Sequence, residues 1–339
     1  MSELRFDPFK GRWVNVSPHR AARPLHLVGD RDSCPFCPGN EHDTPPEVLA
    51  IRPPDGPADG PGWTLRVVPN RFPALTPAAH DVRRSMGVFA MMAGVGHHEV
   101  LIETPDHEAD LDDLPAAQMA RVLRVLWRLV GEHERAPETA YVLAFRNWGR
   151  AAGASVAHPH TQILALPVVP AAIAREVTNS VAYLRRTGRP LAEDMLREEI
   201  ADGARRVAEN DRFVVLVPFA AAFPFEMALY PRQPAARFAE LTEAEVSPLG
   251  ELLQDVLRRM KRVLNGPAYN IVLHTAPNPI APATAALADP DEIEAAFHWH
   301  LEIVPRPERT DGFEWATGLY VCTLAPEEAA RQLRENSPP

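Results

Sequence analysis

The feature that most limits how this chain can fold is a pattern written twice. "EVLIETPDHEADLDDLPAAQ" from Glu99 and "EMALYPRQPAARFAELTEAE" from Glu226 each read as a short apolar strand, a Pro-containing turn and the start of a helix. Each follows a Phe-Pro pair, Phe72-Pro73 or Phe223-Pro224. Each leads into apolar residues at helical spacing: Met119, Val122, Leu123, Leu126, Leu129 and Val130 in the first half, Leu249, Leu252, Leu253, Val256, Leu257 and Met260 in the second. Thr242 and Glu245 stand at capping-box spacing before the second run. A Tyr-led apolar strand follows, "YVLAFRN" or "YNIVLHT", and then "HPHTQI" or "HWHLEI". Shared order predicts an α+β fold of two duplicated units, residues 1–170 and 171–339, with antiparallel sheets joined and helices packed on them. The competing reading is two generic α+β units of similar length.

"HPHTQ" carries the chemistry. Side chains of an extended strand alternate faces, so His158, His160 and Gln162 are expected on one side and Thr161, Ile163 and Ala165 on the core side. An isolated His-x-His reads equally well as two partly buried histidines satisfied by backbone; Gln162 and the preceding "GAS" favour a functional strand. "NWGRAAGAS" supplies Asn147, Gly153 and Ser155, where small residues permit close backbone approach and amide and hydroxyl donors can cradle phosphate. Arg20 and Arg23 in "SPHRAARP" offer guanidinium forks that pair with phosphate oxygens, or are solvated surface charges. Three cysteines, two of them in "CPFC" at Cys34 and Cys37, do not make a disulfide framework and point to a metal or to nothing. His97, His98 and Glu99 cluster and read as strand residues without a role.

Composition excludes other classes. A formal net charge of −10 argues against a nucleic-acid surface. No run of about 18 apolar residues predicts a membrane span, and the start "MSELRFDPFKGRW" lacks the apolar core of a secretion signal, so a cytoplasmic enzyme is expected. With 36 prolines, long irregular connections are expected, most clearly at residues 44–62 and 276–290.

"DPFKGRWVNVSPHRAARP", "CPFCPGN", "NRFPAL", "ETPDH", "FRNWGRAAGASVAHPHTQ", "PFAAAFPFEMALYPR", "YNIVLHTAP", "HWHLEIVPR" and "DGFEWATGLY" run over nearly the whole chain. Together they resemble the galactose-1-phosphate uridylyltransferase family, the transferase branch of the histidine-triad superfamily. The resemblance implies histidine-triad-like halves and a two-step transfer of a nucleoside monophosphate between a sugar nucleotide and a phosphate or sugar 1-phosphate. His160 would be the covalent nucleophile and Gln162 a donor to the phosphoryl group. In the hydrolase branch a third histidine stands where Gln162 does, so the substitution favours transfer over dinucleoside-polyphosphate hydrolysis.

By the same resemblance Arg20, Arg23, Asn147 and Ser155 contact phosphate, Asn70 lies near the ribose, and Phe313 and Glu314 contact the sugar. Arg71 replaces the acid that uridylyltransferases carry after the asparagine, and Tyr320 replaces a glutamine of galactose-specific enzymes. "GLY" and "PEEAA" look like the ADP-glucose phosphorylase branch. UDP-hexose with a hexose 1-phosphate and ADP-sugar with phosphate are the two pairings. Cys34, Cys37, His107 and His158 make a tetrahedral zinc set, with a reduced thiol pair as the alternative. Glu176, His274, His298 and His300 suggest a second metal, iron or zinc. A homodimer is implied.

Overall fold

The structure, a computed structural model, describes residues 2–8, 10–18, 20, 33–77, 83–306 and 311–337. In chain order the strands are β1 (Glu3–Asp7), β2 (Arg12–Val16), β3 (Leu49–Ile51), β4 (Leu65–Pro69), β5 (Arg83–Met86), β6 (Phe89–Ala93), β7 (His97–Ile102), β8 (Tyr141–Trp148), β9 (His160–Leu166), β10 (Arg206–Glu209), β11 (Phe213–Leu216), β12 (Met227–Pro231), β13 (Tyr269–His274) and β14 (His300–Pro305). The helices are α1 (Ala116–His133), α2 (Ala171–Thr187), α3 (Leu191–Asp202), α4 (Glu243–Leu264), α5 (Pro282–Ala285), α6 (Pro290–Ala296), α7 (Gly312–Thr317) and α8 (Pro326–Glu335). Among the described residues no helix is long and apolar enough to cross a membrane.

A small antiparallel sheet runs in the order β2-β1-β6-β5, and the other ten strands form one antiparallel sheet, β10-β11-β12-β14-β13-β8-β9-β7-β4-β3. Read outward from its middle pair, β8-β9-β7-β4-β3 is matched by β13-β14-β12-β11-β10, the order a two-fold axis between β8 and β13 would generate. The duplicated pattern thus appears as two five-stranded halves fused through β8 and β13, where Asn147 lies opposite Asn270. The expected helices are α1 and α4, and the Thr242–Glu245 capping box forms, with Glu245 accepting the Thr242 N–H at 2.9 Å.

Strand alternation sorts the sheet into two faces. On the back, Val142, Ala144, Ile163, Leu101, Ile271, Leu273, Leu301 and Ile303 pack with α1 and α4 into one core. On the front, Tyr141 packs with Ile173, Val177 and Val181 of α2, and His160, Gln162, His274 and His300 follow the same parity. Two connections hold more structure than the prolines suggested: residues 44–62 include β3, and residues 276–290 include α5. β9 starts at His160, and His158 lies in the bend before it; Pro159 has no N–H to give the ladder, and its carbonyl accepts the Glu103 N–H at 3.3 Å.

Under the site strand lies a buried ionic network. Arg146 Nε donates to both Glu103 oxygens at 3.0 and 3.1 Å, and its Nη1 lies 3.0 Å from both Tyr269 Oη and Asp110 Oδ1. Thr161, next to His160, donates its hydroxyl to Glu103 at 2.7 Å. Burial alone would raise the Asp110 carboxyl, but Arg146 and Lys261 hold it below the usual carboxylate range. Removing the cation leaves buried Glu103 without its counter-charge and Asp110 with Lys261 alone, 3.0 Å away. Arg146→Met is therefore expected to lower the unfolding free energy by roughly 3–5 kcal/mol, measured by urea denaturation; a loss below about 1 kcal/mol would show that the network carries little.

Candidate active site

His160 is held by its own backbone. Its Nδ1 lies 2.8 Å from the His158 carbonyl, which can only accept, so Nδ1 carries the ring proton and Nε2 the lone pair. Pro159 between them stiffens that geometry. The ring is buried, with the Phe36 ring 5.3 Å away edge-on.

His160 and Gln162 open onto a cavity of about 230 Å³ that also touches Phe36, Val68, Asn70, Arg71, Phe72, Val100 and Ser155. Its lining mixes apolar side chains with polar and charged ones. Gln162 has an orienting partner that sequence reasoning left without a role. The Ala74 N–H donates to His98 Nδ1 at 3.0 Å, so the His98 proton sits on Nε2 and donates to Gln162 Oε1 at 3.0 Å. Gln162 thereby turns its NH2 toward the cavity. Asn70, which also lines the cavity, accepts the Phe72 N–H through Oδ1 at 2.9 Å, and its Nδ2 lies 3.1 Å from His98 Nε2. The signal for His98 lay in strand parity: it is on β7 two residues before Val100, which pairs with Gln162.

Arg20 donates through Nη1 to the Phe72 carbonyl at 3.0 Å, at the cavity's rim, and burial lowers its pKa from the ordinary value. Arg23 lies outside the described residues. Ser155 is buried against the cavity, and Asn147 closes β8 with its Oδ1 accepting from Asn270 at 2.7 Å. Phe313 and Glu314 are not brought to this cavity. They sit on α7, where Phe313 is exposed and Glu314 accepts the Asp311 N–H at 3.2 Å in a capping box. Tyr320 instead packs its ring 5.5 Å from Phe223.

Cys34, Cys37, His107 and His158 bring four ligand atoms within 4.8 Å of one another, all in buried side chains. Cys37 Sγ lies 3.3 Å from His107 Nδ1 and 3.6 Å from His158 Nδ1. A tetrahedral ion with bonds near 2.3 Å to sulfur and 2.0 Å to nitrogen sets such edges at about 3.5 Å, so the donor set fits a metal. His158 is oriented from behind by the Thr104 carbonyl, 2.7 Å from Nε2, and burial pushes its pKa down to about 4, keeping it neutral.

On the second half of the same face, Glu176, His274 and His300 form another such group. His274 is bracketed by Glu176 at 2.8 Å and Glu302 at 3.2 Å. Burial alone would lower its pKa, but these two carboxylates outweigh it and raise it to about 10. His298, expected as a ligand here, stands apart: its Nε2 lies 2.8 Å from the Pro231 carbonyl and its Nδ1 takes the Ala235 N–H at 3.4 Å. Backbone groups occupy both of its nitrogens, and Glu302 is the carboxylate beside the group.

Family models match both halves: galactose-1-phosphate uridyl transferase, N-terminal domain, over residues 1–170, and its C-terminal domain over residues 176–306. The chain belongs to the galactose-1-phosphate uridylyltransferase family. Among curated relatives, an ADP-glucose phosphorylase of Arabidopsis thaliana is 32% identical, over 99% of this chain and 93% of that protein. A galactose-1-phosphate uridylyltransferase of Thermotoga maritima is 28% identical, over 99% and 98%. Among solved structures, a uridylyltransferase matches with TM-score 0.81 and 31% identity over 98% of both chains. The Arabidopsis thaliana ADP-glucose phosphorylase with bound ADP-glucose matches with TM-score 0.75 and 31% identity over 99% of both. Membership in the uridylyltransferase family makes this a nucleotidyltransferase with the α+β antiparallel architecture described above.

Two outcomes follow from the site. His98→Leu removes the donor that orients Gln162 and is expected to slow nucleotidyl transfer roughly fivefold, the worth of about one net hydrogen bond, with the melting temperature also lowered because the Ala74 N–H loses its acceptor; an unaltered single-turnover rate would leave His98 without this function. Cys37→Ala is expected to lower bound metal by one equivalent per chain in elemental analysis, whereas equal metal content in both proteins would dismiss the four-residue group as a metal centre.

Proposed function

We propose that the protein transfers a nucleoside monophosphate between a sugar nucleotide and a phosphate or sugar 1-phosphate in two displacements through a nucleotidyl-His160. In the first, the Nε2 lone pair attacks the α-phosphorus; the N–P bond forms, the P–O bond to the β-phosphate breaks, and sugar 1-phosphate leaves with that electron pair. In the second, a phosphate oxygen of the acceptor attacks the same phosphorus, the N–P bond breaks, and His160 regains its lone pair. Neutral imidazole serves both as nucleophile and as leaving group near neutral pH. Gln162 donates its NH2 to a non-bridging oxygen, and Arg20, Asn147 and Ser155 hold the phosphates. The observation that carries this reading is the His158 carbonyl at His160 Nδ1, beside an amide whose protons face the cavity.

The Cys34, Cys37, His107 and His158 group suits Zn²⁺, which when bound would be structural: it ties the loop of Cys34 and Cys37 to the residue whose carbonyl orients His160. Glu176, His274 and His300 would hold the second metal, iron or zinc. Gln162 has no imidazole with which to activate water, which disfavours the hydrolase reading.

For the substrates, the first reading is uridylyl exchange between UDP-glucose and hexose 1-phosphate, supported by the Thermotoga maritima relative, a galactose-1-phosphate uridylyltransferase. The second is adenylyl transfer from an ADP-sugar to phosphate. Arg71 at the cavity and the 32% identical phosphorylase favour it.

Incubation with UDP-glucose or ADP-glucose labelled in the nucleotide is expected to leave acid-labile label on the protein with one donor, release sugar 1-phosphate, and leave no label on His160→Ala. Absence of label and of sugar 1-phosphate exchange with both donors would sink the reading. Steady monophosphate release without acceptor would point to hydrolysis instead.

A further inference from the structure

Asn147 does not orient its own amide; the second half of the chain does. The two ends of an amide group are alike in shape and opposite in polarity, since the NH2 donates and the oxygen accepts. Arg306, just past β14, places Nε 2.6 Å from Asn270 Oδ1. Asn270 Nδ2 then donates to the Ala152 carbonyl at 2.9 Å and to Asn147 Oδ1 at 2.7 Å. A guanidinium cannot accept and a carbonyl cannot donate, so two fixed partners agree on which way Asn270 faces. Asn147 must answer with its oxygen and turn its NH2 to the phosphate loop, where that nitrogen lies 3.6 Å from the place a Cβ on Gly153 would take. Gly153, at φ +87°, leaves that space open. The Arg306 guanidinium is in turn seated on the Phe223 ring, 4.9 Å from its centre.

We propose that Arg306 and Asn270 are positioning residues that set the polarity of the Asn147 amide for the substrate's phosphates. Through this chain the second half acts in a reaction whose nucleophile lies in the first. The proposal rests on the transfer reading and deepens it.

Asn270→Asp gives the test its edge. The carboxylate keeps an acceptor for Arg306 but has no NH2, so Asn147 turns its own NH2 toward it and presents oxygen to phosphate. Asn270→Ala only lets Asn147 rotate. Single-turnover formation of labelled nucleotidyl-enzyme, with UDP-glucose and ADP-glucose as donors, is expected to slow about 100-fold in Asn270→Asp and about tenfold in Asn270→Ala. In an Asn147→Ala background, Asn270→Asp is expected to add no further loss, because the relay has nothing left to orient. A loss caused by the new charge alone would persist in that background. If Asn270→Asp does not fold by circular dichroism, Arg306→Met replaces it, with a loss of about fivefold that Asn147→Ala again abolishes. Losses that multiply in the double variants, or Asn270→Asp no slower than Asn270→Ala, overturn the relay while leaving the transfer reading intact. A wild type that takes label from neither donor overturns the transfer reading and the relay with it.

Discussion

The Arg146–Glu103 pair is the interaction on which the rest of the architecture hangs. Both side chains are shut off from solvent, and neither charge could stay there alone. Their pairing brings together β8, which bears Arg146, the residue after β7, which is Glu103, and β13 through the Tyr269 hydroxyl that bonds Asp110 at 2.6 Å. Thr161 joins from β9. Four strands around the seam between the two halves therefore share one polar knot. Such groups are worth little as net stability compared with an apolar core, and their value lies in register. A one-residue slip of β9 would carry Thr161 to the other face, and His160 with it.

Much of this was legible in the sequence because it is local. Helical spacing found α1 and α4, and Thr242 with Glu245 announced the N-terminus of α4. His160 and Gln162 were found because both lie on one short strand. What escaped depends on chain segments that meet only in the fold. His98 read as a strand residue because its partners, Ala74 and Gln162, stand 24 and 64 positions away. Asn270 and Arg306 stood inside "YNIVLHTAP" and "HWHLEIVPR", yet neither stretch gave them a role. His298 copied the spacing of His158 faithfully, yet the Pro231 carbonyl and the Ala235 N–H claim its ring.

The two halves share a face and differ in electrical character. At one end His160, Gln162 and Asn70 line the cavity with an imidazole and two amides. At the other, Glu176 and Glu302 surround His274, an environment that retains a cation and repels phosphate. Gln162 and Glu302 occupy matching places, each two residues past the second histidine of its half. The single change from amide to carboxylate there reverses what the surface can hold. Duplication supplied a common frame, and the two copies carry different polarity on it.

The outer strands of the large sheet are its shortest kind. β3 has three residues and β10 four, with a register shift between Arg206 and Ala208. Arg334 of α8 also donates to the carbonyls of Ala204 and Arg206, covering that margin. A ten-stranded antiparallel ribbon with long bare borders would recruit neighbours into fibrils; clipped, kinked and capped borders remove that template, so a sheet this wide can exist at high concentration without templating its own aggregation.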